Sequence, residues 1–99
     1  ARRRKIIWTE ESLHDLETVA EYIARDSGRY AAAFVRRVRE VVRSTQRLPE
    51  SGARVLEVED QTIREVFAFN YRVVYQISAN AITVLRIIHA SRDFDSAWN

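Results

Sequence analysis

Tyr71-Arg72-Val73-Val74-Tyr75-Gln76-Ile77 and, past a turn at Ala79-Asn80, Leu85-Arg86-Ile87-Ile88-His89 read as two neighbouring apolar strands that carry arginines and a histidine. A strand that only fills a core has no use for guanidinium groups, because burying an unpaired charge costs several kcal/mol. These side chains must reach water, pair with carboxylates, or await an anionic partner. In the first strand Val73, Tyr75 and Ile77 share one face, and Arg72, Val74 and Gln76 the other. In the second, Leu85 and Ile87 oppose Val84, Arg86 and Ile88. Both faces are partly apolar, so the sheet needs a helical layer on one side and partial cover on the other.

Working outward, the period-two pattern predicts strands over Ala53–Val58, Ile63–Phe69, Arg72–Ser78 and Ala81–His89. Turns at Asn70 and Ala79-Asn80 pair consecutive strands antiparallel. The half before Pro49, the single proline, is helical. Lys5–Thr9 is short and apolar enough for a first strand, and Thr9 reads as an N-cap with Glu10 and Glu11 at the positive end of the helix dipole. Leu13, Leu16, Val19, Ala20, Ile23 and Ala24 form one arc of a helix over about Glu10–Asp26. Ser27-Gly28 breaks it. A second helix over about Arg29–Arg47 should bury Tyr30, Phe34, Val38, Val41 and Val42, and Leu48-Pro49 stops it. The first helix is acidic and the second basic, which suits an antiparallel hairpin. The class is α+β, in the order β-α-α-β-β-β-β, with a mainly antiparallel sheet.

Ninety-nine residues suit one domain, residues 1–99, able to bury roughly two-thirds of its unfolded surface. With 46% hydrophobic residues and no cysteine, the core needs no disulfide, and thiolate metal sites are excluded. No apolar run approaches the ~20 residues of a membrane span. Arg2-Arg3-Arg4-Lys5 is followed by only Ile6, Ile7 and Trp8 before Thr9-Glu10-Glu11, which is no secretory leader. The expectation is a soluble cytoplasmic protein without membrane association. The net charge of +2 does not establish nucleic-acid binding. Lys5 is the only lysine, and arginine favours forked contacts with carboxylate or phosphate.

Two widely separated histidines make no metal site, and two glycines make no phosphate loop. His14 on the polar face of the first helix supports no serine nucleophile. Glu10 with Glu11, or Glu57 with Glu59, read as solvated carboxylates. What remains is Arg64, Arg72, Arg86, His89 and Arg92. The competing structural reading pairs Arg64 with Glu57 or Glu65, and Arg92 with Asp93 or Asp95.

Six segments in order, from Lys5 to about Phe94, resemble the RelE/ParE superfamily of small bacterial toxins. They are Trp8-Thr9-Glu10, Tyr22-Ile23-Ala24-Arg25-Asp26-Ser27, Leu48-Pro49-Glu50-Ser51-Gly52, Ile63-Arg64-Glu65-Val66, Tyr71-Arg72-Val73-Val74-Tyr75 and His89-Ala90-Ser91-Arg92-Asp93-Phe94. For RelE-like members the resemblance implies a ribosome-dependent mRNA endoribonuclease. Its electropositive pocket holds lysines before the Tyr-Arg strand, arginines at positions matched by Arg72 and Arg92, and a C-terminal tyrosine. This chain offers Arg64 and Glu65 instead of lysines, and Phe94 and Trp98 instead of tyrosine. Only His89 could carry a proton usefully near neutral pH, so a ribonuclease would rest on His89, Arg72 and Arg92.

The ParE-like branch is more similar, in its longer helix hairpin, its Asp26-Ser27 connection and its His89-to-Arg92 ending. It implies a non-enzymatic, cofactor-free poison of DNA gyrase that blocks replication. Toxicity and target binding would then fall to Arg64, Arg72, Arg86, His89 and Arg92. The partner implied is a cognate, ParD-like antitoxin with a ribbon-helix-helix N-terminus and an acidic amphipathic C-terminus, assembled with the toxin as a hetero-oligomer. Its contact candidates are Tyr22, Arg36, Arg39, Arg43 and Arg47, although a solvated helix face explains that basic stripe equally well. A third reading is a partner-binding module that has lost toxicity.

Overall fold

The short strand β1 (Lys5–Trp8) ends where Thr9 is taken by the next element. The Thr9 hydroxyl accepts the Ser12 amide at 3.0 Å, capping α1 (Glu10–Ala24), and donates to the Val84 carbonyl at 3.0 Å. One side chain thus starts the helix and ties it to the sheet. This architecture comes from a computed structural model that describes residues 3–98. Ala1, Arg2 and Asn99, and with them the two ends of the expected 1–99 domain, lie outside it. Ser27 caps α2 (Gly28–Arg47) through the Tyr30 amide at 3.1 Å, and Pro49 turns the chain out through a single 3-10 turn, Pro49–Ser51.

The second half forms β2 (Ala53–Arg54), β3 (Ile63–Ala68), β4 (Tyr71–Ile77) and β5 (Ala81–His89), followed by α3 (Phe94–Trp98). The sheet order is β1-β5-β4-β3-β2, antiparallel except for the parallel β1–β5 pair. The expected α+β order with a mainly antiparallel sheet is observed. Leu16, Phe34, Val38 and Val42 of the helix hairpin pack on Ala68, Val73, Val84 and Ile87. Each large side chain buried there contributes about 1.5–3 kcal/mol. The other face holds Val55, Ile63, Val74 and Ile88, closed by Phe94 and Ala97. Its cover is α3, which the periodicity did not reveal.

Three expectations are corrected. The strand over Ala53–Val58 keeps only Ala53 and Arg54 in the ladder, because the chain folds back at Val58 N–H to Val55 carbonyl, 3.1 Å. Tyr30 is exposed and Leu13 is about half exposed. The buried stripes run through Ala31, Phe34, Val38 and through Ser12, Leu16, and a neighbour one residue away is turned some 100° off that line. The turn expected at Asn70 is present as Phe69-Asn70, and its left-handed residue is Phe69 (φ 54°). That backbone costs about 1–2 kcal/mol for an L-residue and brings the Phe69 ring over Phe34, at 6.4 Å between centroids.

The third correction matters most. The register passes from Val74↔Arg86 to Tyr75↔Val84, leaving Leu85 as an unpaired bulge residue. Val84 and Ile87 therefore face the helices together, while Leu85 and Ile88 face α3. Strict alternation had placed Leu85 with Ile87. Bulges re-aim the side chains beyond them, and beyond this one lie Arg86, Ile87 and His89.

Candidate functional site

Arg72 is consumed by its own fold. Its guanidinium bonds Glu57 at 2.8 and 3.1 Å and also Glu65, with only 12% of the Arg72 side chain exposed. The Phe94 ring lies 4.6 Å beneath it, a cation–π contact. The Arg72 bond holds the Glu57 carboxyl below the usual carboxylate range, and the two glutamates push Arg72 further up. This triad latches the Val55–Thr62 loop and α3 onto the sheet. The structural reading had assigned Glu57 and Glu65 to Arg64, but both go to Arg72. Arg64 instead donates to the Gly52 carbonyl at 3.2 Å, and its buried Nε meets no partner among the described residues.

Arg86 is spoken for as well. It grips Asp15 of α1 at 2.8 and 3.2 Å and donates to the Ala97 carbonyl at 2.6 Å, linking α1, β5 and α3. Asp15 pushes the Arg86 guanidinium up from its ordinary value. Asp15 also accepts the Ile87 amide at 2.9 Å. The geometry explains the need. Ala90 N–H bonds the Asn70 carbonyl at 2.8 Å, so Arg72↔Ile88 is a hydrogen-bonded pair and Val73↔Ile87 and Tyr71↔His89 are not. The N–H and C=O groups of Ile87 and His89 consequently face away from β4. They do so past Val84, where β1 no longer covers them. Asp15, passed over in the sequence reading, caps this open edge. Its place one helical turn above Glu11 carried no signal of such a role.

Beside that edge runs a groove between α1 and β5, with a cavity of about 490 Å³. His14, Thr18 and Tyr22 line it from α1, and Tyr71, His89 and Arg92 from the sheet end. The Tyr71 and His89 rings meet edge to face at 4.9 Å. His89 Nδ1 accepts the Ser91 amide at 3.0 Å, so the neutral ring carries its proton on Nε2. Burial, and then Tyr22, push the Tyr71 phenol up, keeping it a hydroxyl donor. Among the described residues no ion pair joins Arg92 to Asp93 or Asp95.

The five-residue constellation thus does not share one surface. Arg72 and Arg86 originate on the α3 side of the sheet. Arg64 and His89, opposite Tyr75 and Tyr71 respectively, lie on the helix side. Of the trio His89, Arg72 and Arg92, the groove brings His89 and Arg92 together, while Arg72 lies on the other face of the sheet. Of the three fates open to these cations, Arg72 and Arg86 pair with carboxylates brought in from 15 and 71 residues away, and Arg92 joins no ion pair among the described residues.

Arg36, Arg39, Arg43 and Arg47 are all exposed along α2. No ion pair among the described residues joins α2 to the acidic α1, and the one on this helix is Arg37 with Glu40 at 3.5 Å. Arg39 and Arg43 border a cavity of about 340 Å³ floored by Ile6, Trp8, Leu13 and Leu16. Tyr22 lies apart from this stripe, at the α1–β5 groove. No group of His, Asp or Glu among the described residues is arranged to hold a metal, and no helix is long and apolar enough to cross a membrane.

Residues 6–94 match the family described as ParE toxin of type II toxin-antitoxin system, parDE. The fold is similar to a chain of the chromosomal ParDE toxin–antitoxin system from P. aeruginosa, with TM-score 0.75 and 19% identity over 92% of this chain and 100% of that one. It is also similar to a chain of the RelBE2 toxin–antitoxin complex from Mycobacterium tuberculosis, with TM-score 0.59 and 20% identity over 89% of this chain and 99% of that one. Among curated proteins no significant match is found.

Proposed function

The chain belongs to the ParE toxin family of type II toxin–antitoxin systems, and from that premise we propose that it poisons DNA gyrase without enzymatic chemistry and is neutralised by a cognate antitoxin. The observation that carries the non-enzymatic reading is the closed α3 face. Cleaving RNA through a 2′-hydroxyl needs a base, an acid and cations free to meet the phosphate. Here Arg72 is locked between Glu57 and Glu65 under Phe94. His89 lies on the opposite face of the sheet, and lysine is absent from the whole β half. A poison that works by docking needs none of these groups.

For the antitoxin, the apolar floor between β1 and the helix hairpin, bordered by Arg39 and Arg43, suits an acidic amphipathic segment that orders on binding. Arg36 and Arg47 extend the same cationic face. Target contact falls on the groove that holds His89 and Arg92, while Arg72 and Arg86 support it from within.

Purified gyrase tests the reading. Added chain should abolish supercoiling and accumulate cleaved DNA, and the antitoxin should reverse both effects. Intact supercoiling together with ribosome-dependent mRNA cutting would instead establish the ribonuclease. Normal growth of bacteria expressing the chain alone would favour the binding module without toxicity.

A further inference from the structure

We propose that the α1–β5 groove binds a nucleotide of single-stranded DNA, with the base against Tyr22 and the phosphate held by Arg92 and His89. Among the described residues that line the groove the one carboxylate is Asp15, and its charge is already met by Arg86 and the Ile87 amide. Donors outnumber acceptors at this groove: the Arg92 guanidinium, the His89 Nε2–H and the outward His89 backbone N–H stand against the outward Ile87 carbonyl and the His14 ring, the His89 carbonyl being taken by the Arg92 amide. The hydroxyls of Thr18, Tyr22 and Tyr71 add to the donors. Such a set, carrying the net charge of Arg92, selects an anion with many acceptor oxygens.

The rings specify which anion. Tyr22 is 66% exposed at the mouth of the groove, with Arg25 over its ring at 5.9 Å. An exposed aromatic face beside a guanidinium is the arrangement on which unpaired bases stack. The cavity of about 490 Å³ falls in the range that encloses one small ligand. A base must leave its stack to lie flat against Tyr22, so a duplex should bind less well than a single strand. An acidic peptide would satisfy the donors but leave the Tyr22 ring without a planar partner. A nucleotide uses both features.

The test is fluorescence anisotropy of the full chain with a labelled oligothymidylate of about 12 nucleotides. The wild-type chain should bind it, and more weakly as salt rises. Tyr22→Ala and Arg92→Gln, both at exposed positions, should each weaken binding by about tenfold, with Arg92→Gln also flattening the salt slope. Arg54→Gln on β2, far from the groove, should bind as the wild type does. Circular dichroism verifies that each variant is folded. The proposal is overturned if the wild type does not bind, if both groove variants bind normally, or if duplex of the same sequence binds as tightly. Capture of an acidic peptide in the groove, lost in both variants while the oligonucleotide is ignored, would overturn it in favour of a peptide site. Gyrase supercoiling is read separately, so failure of the target assignment leaves this measurement standing.

Discussion

Gly52 has no space for a side chain. A Cβ there would lie 2.7 Å from the Glu65 carbonyl oxygen and closer still to the Tyr75 hydroxyl, and the carbonyl belongs to a paired strand that cannot retreat. Gly52→Ala should lower unfolding free energy by about 1–3 kcal/mol in urea titration. Tyr75→Phe should cost a similar amount, because its buried hydroxyl donates to the Pro49 carbonyl at 2.6 Å and accepts the Gly52 amide at 3.2 Å. Equal midpoints for wild type and either variant would show that this corner is looser than its geometry. Arg72→Ala strands a Glu65 side chain that is only 12% exposed and should cost up to about 3 kcal/mol. Removing both charges together, as Arg72→Met with Glu65→Leu, should recover most of that loss. Toxicity restored in the double variant would mark Arg72 as a positioning residue. Toxicity still absent at recovered stability would mark it as a direct contact. From the sequence, Leu48-Pro49 was legible as the stop of the second helix, but the close approach of Tyr75 to Gly52 was not, since 23 residues separate them.

At the scale of elements, the local patterns placed both long helices and four of the five strands within a residue or two at their boundaries. They failed where local pattern and tertiary demand diverge. The Val55-Leu56-Glu57-Val58 run is apolar enough for a strand yet turns inward, because Val55 fills the space beneath α3. The bulge at Leu85 has no composition signal. Five residues of α3 are too few to show a helical period, so Phe94 and Trp98 read as a tail. The Asp15–Arg86 clamp joins three of these elements, and its removal is predicted to act on all of them. Asp15→Ala should destabilise by about 2–3 kcal/mol, since charged hydrogen bonds are lost and the Ile87 amide is uncapped. Hydrogen exchange at Ile87 should quicken by more than at Val73, which sits in the centre of the sheet. Unchanged exchange at Ile87 would show that the β5 edge is shielded without Asp15.

For the whole molecule, charge is arranged so that acid loosens the cover of the α3 face. The Glu57 carboxyl is held below its ordinary value of 4.5 by Arg72, and Asp60 is lowered by hydrogen bonds from Thr62. A folded-state value below the unfolded one supplies stability above the unfolded value, and that stability is lost as pH falls through the folded one. The melting temperature should therefore hold from neutral pH down to about 4.5 and fall below it. Arg72→Met should flatten that fall, and an identical acid limb in the variant would remove Glu57 as its source. On the opposite surface, Arg39→Glu with Arg43→Glu should weaken antitoxin binding by at least about tenfold. Unchanged affinity would identify the α2 stripe as a solvated face. What the sequence determined alone was local: element order, helix stops, turn positions and the α+β class, because periodicity and capping act between neighbours along the chain. Which cations remain free was decided only by the tertiary structure. Arg72 meets Glu57 across 15 residues and Arg86 meets Asp15 across 71, and a carboxylate neutralises whatever the fold brings within reach, however far away the sequence has written it.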